Sequence, residues 1–289
     1  MPNHNALFCA DCFVHFFHTG VTRAMAKFGV SPDEPLMVAV SGGKDSLAVW
    51  NALHETGYAT RGLHVRLGID EFSDASSEAV RRFAEDRRLP WAEYSLEEIF
   101  GYSVDAIRWR TRRKICSVCG LLKRQMLNRL TVREGYRTLV VGHNLDDEAG
   151  RLLGNMVRHR TQFFEKQYPF LPSSHPRLPS KLKPLYRLDA REIRAYCRVK
   201  GILPLEAKCP HSRGATSHAY KEALEMLETR MPGTKRDFLF SYVDRRKPPV
   251  LSADIGTCKS CGEPAFGDLC SVCKLSDHLK KQQDELETP

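Results

Sequence analysis

No stretch of the chain approaches the roughly 20 consecutive apolar residues that a membrane-spanning helix requires, and the N-terminus shows neither a basic-then-apolar signal pattern nor a cleavage site. No membrane role and a cytoplasmic location are therefore expected. The phosphate-binding pattern G-x-x-x-x-G-K-[ST] is also missing, which excludes the usual P-loop. No segment repeats, which excludes a solenoid. Acidic residues are the minority charge, 35 against 44 Lys and Arg, and the resulting formal charge of +9 suits a polyanionic partner without proving one.

Cysteine, by contrast, is plentiful. Of ten, eight fall into four C-x-x-C pairs: Cys9/Cys12, Cys116/Cys119, Cys258/Cys261 and Cys270/Cys273, while Cys197 and Cys209 stand alone. In a reducing compartment such pairs read as metal ligands before disulfides. With 289 residues, 42% of them hydrophobic, the chain can bury one large core and carry small appendages.

The segment Pro35 to Val40 reads as a buried strand, followed by a helix from about Asp45 to Glu55. A strand at Gly62–Leu67, a helix at Ser76–Arg87, a strand at Trp91–Ser95, a helix at Gly120–Arg133, a strand at Thr138–Val141 and a helix after Asp146 continue the alternation. At least four such repeats predict an α/β fold, a parallel sheet with helices on both faces. Residues 158 to 184 read as a long Pro- and Ser-containing loop, helices return at Asp189–Val199 and Ser217–Thr229, and Lys280–Pro289 reads as a polar, frayed end. Three regions follow: a Cys/His-rich segment 1–32, the α/β domain 33–250 and a small four-cysteine module 256–276.

Ser41-Gly42-Gly43-Lys44-Asp45-Ser46 lies where the first strand runs into its helix, so backbone N–H groups and the helix N-terminus can cradle phosphate while Lys44 neutralises charge. A second cluster, Gly142-His143-Asn144-Leu145-Asp146-Asp147-Glu148, follows the fourth strand and shares the sheet's carboxyl edge, where open α/β folds bind ligands. Asp146 and Asp147 are candidates for holding Mg²⁺ or the reacting nucleotide, with plain helix capping as the alternative.

Cys116/Cys119 alone could be a redox pair, half a zinc site or two small apolar residues. The isolated Cys209 downstream makes three thiolates rather than four, a number that on a [4Fe-4S] cluster leaves one iron open. Cys258-x2-Cys261-x8-Cys270-x2-Cys273 has the spacing of a four-thiolate zinc site, whose metal supplies the folding free energy that so short a segment lacks. Cys9 and Cys12 would need His4, His15 or His18 to complete a zinc site, and the run Phe13-Val14-His15-Phe16-Phe17 equally suits an amphipathic helix. Cys197 reads as an ordinary helix residue.

The hexapeptide Ser41–Ser46 resembles the pyrophosphatase loop of the N-type ATP pyrophosphatases, with their adenine nucleotide alpha hydrolase-like fold, which cleave ATP to AMP and pyrophosphate while adenylating a substrate oxygen. That resemblance implies adenine beside the first two strands, at Ala39, Val40, His64 and Val65. The runs C-S-V-C-G-L-L-K-R from Cys116, G-H-N-L-D-D-E-A ending at Ala149, and K-C-P-H-S-R-G-A-T-S around Cys209 narrow it further. They resemble the tRNA 2-thiouridine synthetases with a zinc-finger tail, most of all those acting on T-loop 5-methyluridine.

The resemblance implies a sulfurtransferase using ATP and Mg²⁺, with Cys116, Cys119 and Cys209 on a [4Fe-4S] cluster and Lys123 and Asp147 lining the reaction centre with Lys44 and Asp45. It implies tRNA as substrate, sulfide or a thiocarboxylated ubiquitin-like carrier as donor, and a homodimer. The chain departs from the family in lacking the first Cys pair of its N-terminal finger. Trp109 with Arg108, Arg110, Arg112 and Arg113 is a candidate RNA-docking strip. Two alternatives remain at this stage: another enzyme with the same loop, such as a cytidine thiolase, or a non-catalytic zinc-bearing RNA-binding module.

Overall fold

The computed structural model describes residues 6–164, 167–212, 216–246 and 255–287. His4 and residues 213–215 of the Cys209 motif lie outside them.

The chain opens with α1 (Ala10–Lys27), whose buried Phe13, Phe17, Val21, Ala24 and Met25 recur at helical spacing. Phe17 stacks on Tyr196 with ring centroids 3.8 Å apart, so this segment belongs to the main core. Then follow β1 (Leu36–Val40), α2 (Lys44–Glu55), β2 (Thr60–Arg66), α3 (Asp70–Asp86), β3 (Trp91–Ser95), the short α4 (Leu96–Phe100) and α5 (Val104–Arg108), α6 (Ile115–Arg133), β4 (Thr138–Val141) and α7 (Leu145–Val157). The six-stranded sheet runs β3-β2-β1-β4-β6-β5, with β5 (Phe170–Leu171) and β6 (Ser180–Leu182) at one edge. Every pairing is parallel except β5 with β6.

One core lies between the sheet and α1, α2, α3 and α8 (Ala190–Val199). A second lies against α5 and α6 on the other face. The sheet is thus covered on both sides, as its continuous runs of Val, Leu and Met require. Beyond α7, α9 (Thr216–Arg230) and α10 (Thr234–Val243) form a third cluster with it.

Several sequence expectations change, among them the helix expected from Ser76, which begins at Asp70. Residues 158–184 are not simply a loop but supply β5 and β6, strands too short for a periodic signal. The helix expected from Gly120 begins at Ile115 and so carries the Cys116/Cys119 pair. After the small hairpin β7 (Gly256–Thr257) and β8 (Pro264–Ala265), the polar tail is helical throughout α11 (Ser271–Glu287). Leu275 and Leu279, one turn apart and buried, insert into the core of α6.

Candidate functional site

The loop Ser41–Ser46 leaves β1 at the carboxyl edge and enters α2, which has no side-chain cap, so its first N–H groups are offered outward. The turn is held from within. Ser41 N donates to Ser46 Oγ (3.1 Å), Ser46 Oγ to Gly43 O (3.0 Å), and Ser76 Oγ to Ser41 O (2.9 Å). Gly42 has φ +72°, and a Cβ there would sit 2.9 Å from Ser76 O, so glycine is required twice over.

Beside it, on the neighbouring strand β4, the second loop approaches so closely that a Cβ on Gly142 would lie 2.8 Å from the Asp45 carbonyl carbon. Gly142 therefore serves proximity. Asn144 caps α7, accepting from Asp147 N at 3.0 Å while Asp147 Oδ2 accepts from Asn144 N at 3.2 Å. The Asn144 amide also reaches Asp45 Oδ1 (2.8 Å), which receives Lys44 Nζ at 2.5 Å.

The two acids of this loop part company. Asp146 turns inward to Lys235 Nζ and, at 2.7 Å, to Ala190 N, so its work is to pin α8 and α10 to α7. Asp147 is bound by Lys221 Nζ from α9 and stays partly exposed. Burial pushes its carboxyl up, but Lys221 and the capping N–H prevail and hold it below the ordinary aspartate range. Lys221 falls in the run Y-K-E-A-L-E-M-L-E after Ala219, which resembles the family, but its partner is revealed only by the packing of α9 on α7.

The residues expected around adenine do not share one face. Val40 and His64 are paired in register and face the α2 side, whereas Ala39 and Val65 belong to the core against α6. His64 is buried, its Nδ1 is 2.8 Å from Val40 O, and its Nε2 has no hydrogen-bond partner. Desolvation lowers its pKa, leaving a neutral ring at the end of β2.

Cys116 lies in the first turn of α6, Cys119 follows one turn on, and Lys123 comes at i+4 from Cys119 on the same face. Cys209 packs with Cys119 beside the core of α6. Cys116 Sγ donates to His211 O at 2.9 Å, and His211 Nε2 lies 2.5 Å from Asp105 Oδ1, fastening the Cys209 segment to α5 and α6. The same segment is tied to the nucleotide loop by Leu205 N donating to Gly42 O at 2.8 Å. Four residues span at most about 14 Å, so the cysteine site and the loop are held as neighbours. Cys119 is half-buried, and burial raises its thiol against the opposing pull of Lys123.

In the tail, ligand atoms of Cys258, Cys261, Cys270 and Cys273 all lie within 4.8 Å of one another. Cys261 and Cys270 are 3.7 Å apart at sulfur, the separation of about 3.8 Å that tetrahedral bonds of about 2.3 Å impose. The N–H of Cys270 helps draw the Cys258 thiol down to about 6. The four cysteines can therefore hold a metal ion.

Cys9 caps α1 and accepts from Cys12 N at 3.4 Å. Among the described residues no third donor gathers with this pair. His18 is committed elsewhere, to the Tyr196 hydroxyl at 2.8 Å. Cys197 is buried, as a plain helix residue would be.

Residues 17–206 match the PP-loop domain family. The chain is 38% identical to the tRNA-5-methyluridine(54) 2-sulfurtransferase of Thermus thermophilus, over 98% of this chain and 89% of that protein. Against the protein of the same name from Thermotoga maritima the identity is 34%, over 99% and 95%. Among solved structures, the U34-tRNA thiolase NcsA of Methanococcus maripaludis with its [4Fe-4S] cluster superposes with a TM-score of 0.83 at 24% identity, covering 96% of this chain and 92% of that one, which establishes a common fold.

Proposed function

The chain belongs to the PP-loop family and, within it, to the tRNA 2-sulfurtransferases, and from that premise we propose that it thiolates a tRNA uridine, the 5-methyluridine of the T-loop, at C2. The uridine O2 attacks the α-phosphate of ATP and pyrophosphate leaves. Sulfide then adds at C2, and the C2–O bond breaks to release AMP carrying the former carbonyl oxygen, with loss of the sulfur's proton. The N–H groups of the Ser41–Ser46 turn and Lys44 take the phosphates. Asp45, fixed by Lys44 and Asn144, and Asp147, fixed by Lys221, are the carboxylates placed to hold Mg²⁺ at this edge. Lys123 supplies a positive charge beside the thiolates.

Three thiolates with a lysine one turn away fit a [4Fe-4S] cluster on Cys116, Cys119 and Cys209. Such a cluster, three-coordinated by protein, supplies one iron position for an exogenous ligand such as sulfide. Zn²⁺ is assigned to the tail cysteines, sulfide or a thiocarboxylated carrier protein is the donor, and a cytoplasmic homodimer is the form expected to act; no helix among the described residues is long and apolar enough to cross a membrane.

The observation that carries this reading is the single edge on which the nucleotide loop, Asp147 and the three cysteines are tied by the Asn144–Asp45 and Leu205–Gly42 hydrogen bonds. Anaerobic incubation with ATP, sulfide and tRNA that carries 5-methyluridine but no 2-thio group should yield AMP and 2-thio-5-methyluridine in equal amounts. AMP without thionucleoside would refute sulfur transfer.

A further inference from the structure

A cleft of about 300 Å³ opens between α7 and α9 immediately beside Asp147. Its walls carry Arg151, Arg158, Arg160 and Lys221, with Tyr220 between them. Asp147 is the one carboxylate in the lining, and Lys221 already answers it, leaving three guanidinium groups. Among the described residues, only Arg151 of these has an acid within reach, Glu148 at 3.9 Å, and that acid is taken more closely by Lys183 at 2.7 Å. His143, also in the lining, is held down to about 4, chiefly by desolvation, and adds no charge near neutrality.

The arrangement is specified by the backbone. A Cβ on Gly150 would lie 3.0 Å from Lys221 Cγ and one on Gly154 would lie 3.0 Å from the Tyr220 ring, so these two positions, one turn apart, let α9 approach and set its side chains against the arginines. At the end of α7, His159 adopts φ +50° and Arg160 N donates to Asn155 O at 2.9 Å. This reversal returns Arg160 to the cleft beside Arg158, whose guanidinium carbon lies 5.6 Å from the Tyr220 ring centre. One cation would suffice to complement the carboxyl end of α7. Among the described residues Arg158 and Arg160 have no acidic partner, and with Arg151 they line a cleft that touches the reaction-centre acid, an arrangement suited to an anion.

We propose that this cleft grips the sugar-phosphate backbone of the RNA substrate next to the nucleotide being modified, with Arg158 and Arg160 each engaging a phosphate and Arg151 closing the inner end. The proposal rests on the tRNA-thiolation reading and assigns its substrate contacts. RNA is favoured over the triphosphate of ATP because the Ser41–Ser46 turn already provides a phosphate cradle, and Asn144 with the first turn of α7 stands between that cradle and the cleft. Fork-shaped guanidiniums match phosphate oxygens in pairs, and the Tyr220 face is available to a sugar or a base.

The test is fluorescence anisotropy with unmodified full-length tRNA at several salt concentrations, comparing the intact protein with Arg158→Ala, Arg160→Ala and the double variant, alongside ATP binding. The double variant should weaken tRNA binding about 10- to 100-fold and flatten the log K against log salt slope by about 1 to 2, while the ATP affinity stays constant. Arg158→Lys with Arg160→Lys should recover part of the salt slope, which a folding defect would not allow. Unchanged tRNA affinity and slope would overturn the proposal, and weakened ATP binding with unchanged tRNA binding would give the cleft to the nucleotide. If the intact protein failed to bind tRNA at all, the thiolation reading itself would fall.

Discussion

Asn144 joins the two halves of the candidate site: its side chain caps α7 through Asp147 N at 3.0 Å and donates 2.8 Å across to Asp45 in the nucleotide loop. One residue thus sets the spacing between the phosphate cradle on β1 and the acid loop on β4. Asn144→Ala should lower stability by about 1 kcal/mol through loss of the cap. It should cut AMP formation by a larger factor, on the order of 10²-fold, because reacting groups misplaced by about 1 Å lose that much. Chemical denaturation and AMP release measured side by side check both; an unchanged rate would show that the bridge does not position the site.

Adenylation and sulfur transfer use different residues and should separate by mutation. Lys44→Ala and Asp45→Ala should abolish AMP formation and leave tRNA binding nearly intact, since the cradle meets phosphate while RNA affinity is distributed over many cations. Cys209→Ala should instead lose bound iron and thiolation while retaining adenylation, read as pyrophosphate release. Iron analysis, pyrophosphate release and nucleoside analysis on the same preparations decide this, and full iron content in Cys209→Ala would refute the three-cysteine assignment.

The Glu148–Lys183 pair at 2.7 Å is buried beneath the cleft. Burial raises the Glu148 carboxyl, yet Lys183 and Arg151 outweigh it and hold it below the ordinary 4.5. A carboxyl depressed in the folded state contributes stability that is complete above its unfolded value, near pH 4.5, and fades as pH falls below that. Lys183→Met should destabilise by about 3 to 5 kcal/mol at pH 7, because one buried charge is left alone. Adding Glu148→Gln should recover much of that loss. Denaturation at pH 7 and pH 4 tests the sign: the single variant's deficit should shrink at the lower pH, and a deficit that grows would contradict the pairing.

Because Leu275 and Leu279 are buried against α6, the cysteine module and the α/β body should share stability. Leu279→Ala should cost about 2 to 4 kcal/mol, and chelating the tail metal should lower the melting temperature of the whole protein. Thermal unfolding with and without chelator reads this; an unaffected main transition would show the module to be energetically separate.

The parallel sheet was legible because four strands alternate with helices long enough to show their period, and the Ser41–Ser46 turn was legible because strand, glycines and helix start coincide. The contribution of Leu275 and Leu279 was visible as an i, i+4 apolar pair but was masked by the surrounding Lys, Gln and Asp. β5 and β6 left no signal, since strands of two and three residues exist only by pairing, β6 with β4 and β5 with β6. Lys221 and Lys235 fall in the family-like runs Y-K-E-A-L-E-M-L-E and P-G-T-K, but neither run tells which acid its lysine binds. Their partners, Asp147 and Asp146, lie 74 and 89 residues away, and only the docking of α9 and α10 on α7 brings them together. The division of labour between Asp146 and Asp147 followed from that docking and from nothing local.

Nucleoside analysis by mass spectrometry of tRNA from cells with and without the gene tests the central claim most directly. Deletion should remove 2-thio-5-methyluridine and leave 2-thiocytidine untouched. Loss of 2-thiocytidine with every 2-thiouridine species retained would contradict it.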